Sequence, residues 1–350
     1  MDGLKTEVLK KNDNIGEKLS EKELCPDDLL QGQEEAFARD IARLQQRTGE
    51  FLKVHCPACG SNSAFKKFEK HTFNYDECEN CRTIYMNPRP SPKVMEWFYQ
   101  NSENYEYWAK HIFPASEASR KEKIHKPWLE RIVSYCKRFG IPQNTLVEIG
   151  AGFGTFSAVA QESGAFKNVF AIEPNPGLAQ ACRERGVHVV NLPVERITNE
   201  MPQADVAVSF EVIEHLFKPE EFLQQCKRIL RPGGLLVISC PNGLGFDIAT
   251  LGAESLAVDP EHVNLFNPQS LSILLKSCGF EVLSTTTPGR LDAEFVRTAI
   301  LENRYDVSQQ AFLKTVLLDE WETLGWNFQQ FLAENGLSAH MWCAARLLEK

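Results

Sequence analysis

Residues 145–156 read Thr-Leu-Val-Glu-Ile-Gly-Ala-Gly-Phe-Gly-Thr-Phe, and no other run constrains the fold as tightly. An apolar strand carries Glu148, and Gly150, Gly152 and Gly154 then turn the chain sharply into a helix. Glycine is required there because a Cβ would oppose positive φ angles and hold a ligand away from the backbone. A strand, such a loop and a helix make the opening βα unit of an open α/β sheet, whose ligands sit beyond the carboxyl ends of the strands. About twenty residues on, 169–172 predict a second short strand, with Glu173 at its end before the turn Pro174-Asn175-Pro176. An acid at that point can accept hydrogen bonds from the vicinal hydroxyls of a ribose.

NAD and S-adenosylmethionine (SAM) both carry such a ribose. The dinucleotide fingerprint wants a small third residue, but counted from Gly150 that position is Thr155 and the glycine falls at 154. No phosphate-binding lysine follows, which excludes a P-loop. Downstream, 205–210 predict a fourth strand, followed by Glu211-Val212-Ile213-Glu214-His215-Leu216. Residues 222–230 then place Phe222, Cys226, Ile229 and Leu230 on one helical face. Arg231-Pro232-Gly233-Gly234 ends that helix, and 235–239 form a fifth strand that runs into Cys240-Pro241-Asn242. Glu261-His262-Val263-Asn264-Leu265-Phe266 precedes a helix over 270–278 and Gly279-Phe280-Glu281-Val282.

Together with Glu-x-Gly-x-Gly-x-Gly, this ordered set resembles the class I SAM-dependent methyltransferases over residues 124–290. The resemblance implies an α/β, doubly wound, Rossmann-like sheet of seven strands, the last one antiparallel between the fifth and sixth. It also implies SAM as cofactor. Glu148, Gly150, Gly152 and Gly154 would hold the methionine end and Glu173 the ribose. Val194 and Glu195 would lie near the adenine, with Phe210 and Glu211 closing the cofactor floor.

The chain has eleven cysteines. Cys56-Pro57-Ala58-Cys59 and Cys78-Glu79-Asn80-Cys81 are two C-x-x-C knuckles eighteen residues apart, a spacing that fits a zinc ribbon. Gly60 and Asn80 supply turn chemistry, and four thiolates can close a tetrahedron around a structural Zn2+ with no open position. The intervening Phe65, Phe68, Phe73 and Tyr75, with Tyr85 beyond, would pack a small hairpin. The other seven cysteines are scattered, mostly in apolar settings, as reduced thiols are.

Five segments follow: a polar tail and amphipathic helix (1–52), the ribbon (53–90), an aromatic-rich helical connector (91–142), the SAM-binding core (143–288), and a helical insertion with the final strand (289–350). The tail is read as loose over 1–32. Phe37, Ile41, Leu44, Thr48 and Phe51 predict a helix over 34–52. Helices are expected over 124–139, 291–303 and 309–333, and a last strand over 339–347. With 43% hydrophobic and 24% charged residues, the composition is that of a globular protein. No apolar run approaches the ~20 residues of a membrane span. The first residues lack a signal core, so the cytoplasm is the expected location.

SAM's sulfonium is a strong electrophile, so the protein has mainly to align an acceptor and remove its proton. His215, past the fourth strand, is the candidate base, with an imidazole expected to titrate near neutrality. Glu214, or Glu211, would orient it or bind an acceptor hydroxyl, and His262 is a second candidate in the same cleft. A ribbon ahead of this core resembles two arrangements, namely sugar methyltransferases acting on nucleotide-linked deoxysugars and ribosomal RNA guanine methyltransferases. A net charge of −9 and the balance of Lys66, Lys67, Lys70 and Arg82 against Glu69, Asp76, Glu77 and Glu79 disfavour nucleic acid. The favoured acceptor is therefore a small molecule, saccharide or nucleotide sugar, O- or C-methylated as in polysaccharide biosynthesis. A non-catalytic SAM-binding scaffold is the remaining alternative.

Overall fold

The computed structural model describes residues 17–197 and 201–349, so half of the expected tail lies outside it. Glu21–Glu23 form a single 3-10 turn, and the first long helix is Asp27–Gln45 rather than 34–52. Pro26 at its N-cap, with Asp27 and Asp28 in the first turn, favours that start. Phe51 continues the helical spacing but belongs to a two-residue antiparallel pair, Phe51–Leu52 with Arg89–Pro90, and stacks on Phe73 at 5.7 Å between centroids.

Ala64–Lys70 (β1), Phe73–Cys78 (β2) and Ile84–Met86 (β3) form an antiparallel meander between and beyond the knuckles. Alternation along β2 buries Phe73 and Tyr75 on one face. A nearly continuous helical run then extends from Glu103 to Phe139, with wide turns at Trp108–Ile112 and Lys121–His125. Its last segment, Lys126–Phe139, buries Leu129, Ile132, Tyr135 and Cys136 against the sheet and stops at Gly140 in the left-handed region.

The core sheet opens with Thr145–Ile149 (β4), Asn168–Ile172 (β5), His188–Val190 (β6), Ala204–Phe210 (β7) and Leu230–Pro241 (β8). Every residue of β4 and β7 is buried, as expected for parallel strands covered on both faces. Arg231-Pro232-Gly233-Gly234 does end the helix Pro219–Ile229, but as a bulge inside β8, between the Leu230 and Leu235 pairings. Asn264–Leu265 (β9) leaves the core and pairs with β3 of the ribbon. Phe280–Thr286 (β10) and His340–Leu347 (β11) complete the sheet in the order β10-β11-β8-β7-β4-β5-β6. β11 runs antiparallel between β8 and β10, with Cys343 opposite Ile238 and Thr285. This is the doubly wound, seven-stranded, Rossmann-like architecture that the motif order implies. Helices Asp292–Leu301 and Trp321–Glu334 precede β11.

Candidate functional site

The chain runs from β4 outward through β5 and β6, then returns to β7 on the other side of β4. That reversal opens a crevice at the carboxyl ends of β4 and β7, the place where such sheets bind ligands. The glycine loop lines it. Gly150, Gly152 and Gly154 have φ of 78°, 54° and 73°. A Cβ on Gly150 would come within 2.6 Å of Val212 Cγ2, and one on Gly154 within 2.7 Å of Cys182 Sγ, whereas one on Gly152 would meet nothing within 4 Å. Two glycines thus admit neighbouring chain, and the middle one leaves space. Thr155 opens the following helix with its hydroxyl buried and unpartnered.

Glu173 turns back into this loop, its carboxylate accepting the N–H groups of Gly152 (2.8 Å) and Asn175 (2.9 Å). Burial pushes its carboxyl up, and the two N–H donors partly restrain the rise. Glu148 accepts both N–H and hydroxyl of Ser157, at 3.1 and 2.5 Å, so its first role is to pin the helix Thr155–Ser163. Burial pushes it up to about 8. Val194 belongs to a buried cluster that includes Ile172 and Leu223, and the side chain of Glu195 lies outside the described residues. Phe210 packs with Trp128, Phe156 and Trp342 at centroid distances of 4.5, 4.9 and 5.4 Å, a floor of aromatic rings. Glu211 follows at φ 52°, an uncommon angle for its residue type. Its Oε1 accepts from Ser239 Oγ (2.6 Å) and lies 2.9 Å from His340 Nε2.

Beyond Val212 the turn Ile213–His215 brings Glu214 and His215 to the same edge. His262 arrives from the other side, on the segment that enters β9, with its ring centroid 4.8 Å from that of His215. The structure therefore brings together the three residues that the sequence reading assigned to one cleft. His215 Nδ1 lies 3.1 Å from Glu261 O, and His262 Nδ1 lies 2.9 Å from Ala257 O. Asn264 clamps the two segments together. Its Nδ2 donates to the carbonyls of Ile213, Glu214 and Leu216 (3.2, 3.3 and 2.7 Å), and its Oδ1 accepts from Arg89 at 2.6 Å. His215 does not titrate near neutrality as expected, because burial pushes it down to about 3. Tyr99, half-buried, sits edge-on to His215 at 6.2 Å, while Tyr75 and Tyr85 are core residues.

In the ribbon, Cys56 and Cys81 Sγ are 3.5 Å apart and Cys59 and Cys78 Sγ 3.6 Å, with all four sulfurs within 4.8 Å of one another. Tetrahedral zinc with Zn–S of about 2.3 Å sets sulfurs about 3.8 Å apart, so the set fits the ion. The two knuckles close alike, with Gly60 N–H on Cys56 O and Arg82 N–H on Cys78 O, both at 2.9 Å. Arg82, not Asn80, takes the left-handed position in the second, at φ 60°. The module is tied to the core where it matters. Asn267 Nδ2 donates to Cys81 O at 2.9 Å while its Oδ1 caps the helix Pro268–Ser277. None of the eleven cysteines is in a disulfide.

Ser239, His340 and Asn264 escaped the sequence reading. Each acts through a partner distant in the chain, and only Asn264 stood inside a quoted motif.

Sheet order, switch-point crevice and glycine cradle define a Rossmann-like methyltransferase fold. Residues 102–285 match the family described as a methyltransferase domain, more than half of the chain, and the chain belongs to that family. A "Probable S-adenosylmethionine-dependent methyltransferase" of Mycobacterium tuberculosis is 30% identical over 135 residues, covering 37% of this chain and 46% of that one. Another so described, from Mycolicibacterium smegmatis, is 40% identical over 81 residues, 23% of this chain and 30% of that one. The chain thus spans less than half the length of these mycobacterial relatives. A ubiquinone biosynthesis O-methyltransferase of Pseudomonas paraeruginosa is 29% identical over 158 residues, 42% and 68% of the two chains. Among solved structures, phosphoethanolamine N-methyltransferase 2 of Haemonchus contortus aligns with a TM-score of 0.47 and 16% identity, over 76% of this chain and 63% of that one.

Proposed function

We propose that the protein is a SAM-dependent methyltransferase acting on a hydroxylated small molecule, a saccharide or nucleotide sugar, with a structural zinc in its ribbon. One observation supports the reading: Val212, next to the turn that carries Glu214 and His215, packs against Gly150 of the glycine loop. SAM supplies a methyl group on a sulfonium, ready to pass to a nucleophile. The chain's residues do the rest. The glycine cradle and Glu173 hold amino-acid and ribose ends, Glu148 keeps the helix start in place, and the Phe210 ring cluster supports the floor.

His215 stays neutral across the physiological range. With Nδ1 committed to a carbonyl, its Nε2 lone pair is the group that meets an acceptor hydroxyl. Its weak hold on a proton suits orientation of that hydroxyl: as the S–CH3 bond breaks and the O–CH3 bond forms, the now strongly acidic hydroxyl proton passes to Nε2 and on to water. Against an RNA acceptor stands the fate of the ribbon's cations. Lys67 and Arg82 both pair with Glu77 (2.8 and 3.1 Å), Lys66 pairs with Glu69 (2.7 Å), and Lys70 donates to Ser255 O (2.9 Å). The three ion-paired cations are neutralised and Lys70 is occupied by a carbonyl, so the set offers little to phosphates. Among the described residues no helix is long and apolar enough to cross a membrane.

The test is transfer of labelled methyl from SAM to nucleotide sugars, surface-glycan precursors and ribosomal RNA, in parallel with His215→Ala. Label in a sugar acceptor, abolished in the variant with SAM affinity intact, is the expected result. Label in RNA alone refutes the acceptor class.

A further inference from the structure

Glu214 is the one member of this cluster whose environment the methyl-transfer reading leaves unexplained. Its side chain is fully buried at 0% exposure, yet neither carboxylate oxygen has a hydrogen-bond partner. A carboxylate removed from water without compensation is strongly unfavourable, and an unsatisfied buried group calls for an ion or another partner. Two imidazoles face it. His215 Nε2 lies 3.9 Å from Glu214 Oε1, and one ligand atom from each of Glu214, His215 and His262 lies within 4.8 Å of the others.

We propose that Glu214, His215 and His262 form a binding site for a divalent first-row transition cation, distinct from the four-cysteine cluster. The hydrogen bonds of the two histidines point to it. A backbone carbonyl only accepts, so the bonds to Glu261 O and Ala257 O place a proton on each Nδ1. Each Nε2 is thereby left with its lone pair. A metal-binding histidine is oriented in this way, by its second nitrogen donating to a carbonyl or carboxylate. Both imidazoles are prepared, and a buried carboxyl group with no hydrogen-bond partner lies beside them.

The donor set names the class of cation. Two nitrogens and one carboxylate suit Mn2+, Fe2+, Co2+ or Zn2+, and leave open positions for water or a substrate oxygen. Mg2+ and Ca2+ prefer shells made of oxygen. With bonds of about 2.1 Å, neighbouring donors sit about 3 Å apart, so the group has to close by roughly an ångström or two on binding. The backbone that carries the donors is already fixed. Asn264 ties the strand following His262 to the turn that bears Glu214 and His215, and Met86 N–H bonds Val263 O at 3.1 Å. The ribbon thus holds one half of the site against the other.

Cation binding stands independently of the methyl-transfer reading. Its consequence rests on that reading and changes one role in it: with the cation bound, His215 Nε2 ligates the metal instead of meeting the acceptor, and an acceptor hydroxyl at an open position becomes more acidic, which a neutral imidazole alone achieves poorly.

The experiment uses the full chain carrying whatever zinc the ribbon holds. Mn2+, which does not favour thiolates, is titrated and followed by electron paramagnetic resonance, with Co2+ and Zn2+ in parallel calorimetry. One Mn2+ per chain is expected, with affinity reduced at least 100-fold in both His262→Ala and Glu214→Gln. Tightly held zinc and the far-ultraviolet circular dichroism of each variant should match the parent, which shows that the fold and ribbon persist. Absence of any Mn2+, Co2+ or Zn2+ binding beyond the ribbon's ion overturns the proposal. So does binding that neither well-folded variant weakens. SAM titration of the same samples separates the two ideas, since SAM bound without a second cation removes only this site, and a second cation without SAM removes only the cofactor assignment.

Discussion

Replacing Asn264 with alanine should damage the protein more than any other single polar truncation near the site. The residue is wholly buried and joins three things: the turn bearing Glu214 and His215, the segment bearing His262, and Arg89 at the end of the ribbon. Its amide offers two hydrogens, shared among three carbonyls, and its oxygen receives one bond from a buried guanidinium. A neutral bond contributes about 1 kcal/mol net and one to a charged group about 1.5–3, with a further penalty where the abandoned partner stays buried. The loss therefore comes to roughly 4 kcal/mol. For a chain of this size a kilocalorie corresponds to about 2 °C, so Tm should fall by roughly 8 °C. Asn264→Asp keeps an acceptor for Arg89 but turns an oxygen toward the three carbonyls, so it should not rescue stability. Thermal melts by circular dichroism, checked by urea denaturation, make the comparison. A fall of less than about 2 °C in Asn264→Ala, or a fully stable Asn264→Asp, would refute the clamp.

Glu148 makes stability pH-dependent with a defined sign. Its folded carboxyl is raised to about 8 from the ordinary 4.5, so the folded state keeps a proton that the unfolded chain releases between those values. Its contribution is complete below pH 4.5 and is lost as pH rises through 8, a swing of at most about 5 kcal/mol. Glu148→Gln, which can still accept from Ser157, should gain Tm over the parent at pH 8.5 and little at pH 4.5; an equal difference at both values counts against the assignment. Cys78→Ser should release the single zinc expected in the ribbon by metal analysis. Because Asn267 and β9 link that module to the core, the variant should also lose methyl transfer, and retained zinc or full activity would show the ribbon to be something else.

How far the sequence could be read depended on whether a feature was local. The glycine loop, Glu173 and the two knuckles are short-range patterns whose chemistry is fixed by neighbours in the chain, and each was identifiable by residue number. The antiparallel last strand was legible only through the resemblance, since nothing in 339–347 states its neighbours. Phe51 shows the opposite case, because it extends the helical period by coincidence and pairs with Pro90 instead. The shift of His215 was invisible for the same reason, as burial by Tyr99, His262 and their neighbours comes from segments far apart in sequence. His340 and Ser239, which hold Glu211, lie on β11 and β8 and meet only through sheet register. Arg82 in place of Asn80 at the second knuckle is subtler. The two loops share a spacing, and the left-handed residue falls four positions after the first cysteine in each.

The central claim is that the crevice between β4 and β7 binds SAM. Isothermal titration of the full chain with SAM and, separately, with NAD tests it most directly. The account predicts one SAM per chain, binding weakened at least tenfold by Glu173→Ala, and no response to NAD. Binding of NAD in place of SAM, or SAM affinity indifferent to Glu173, would contradict it.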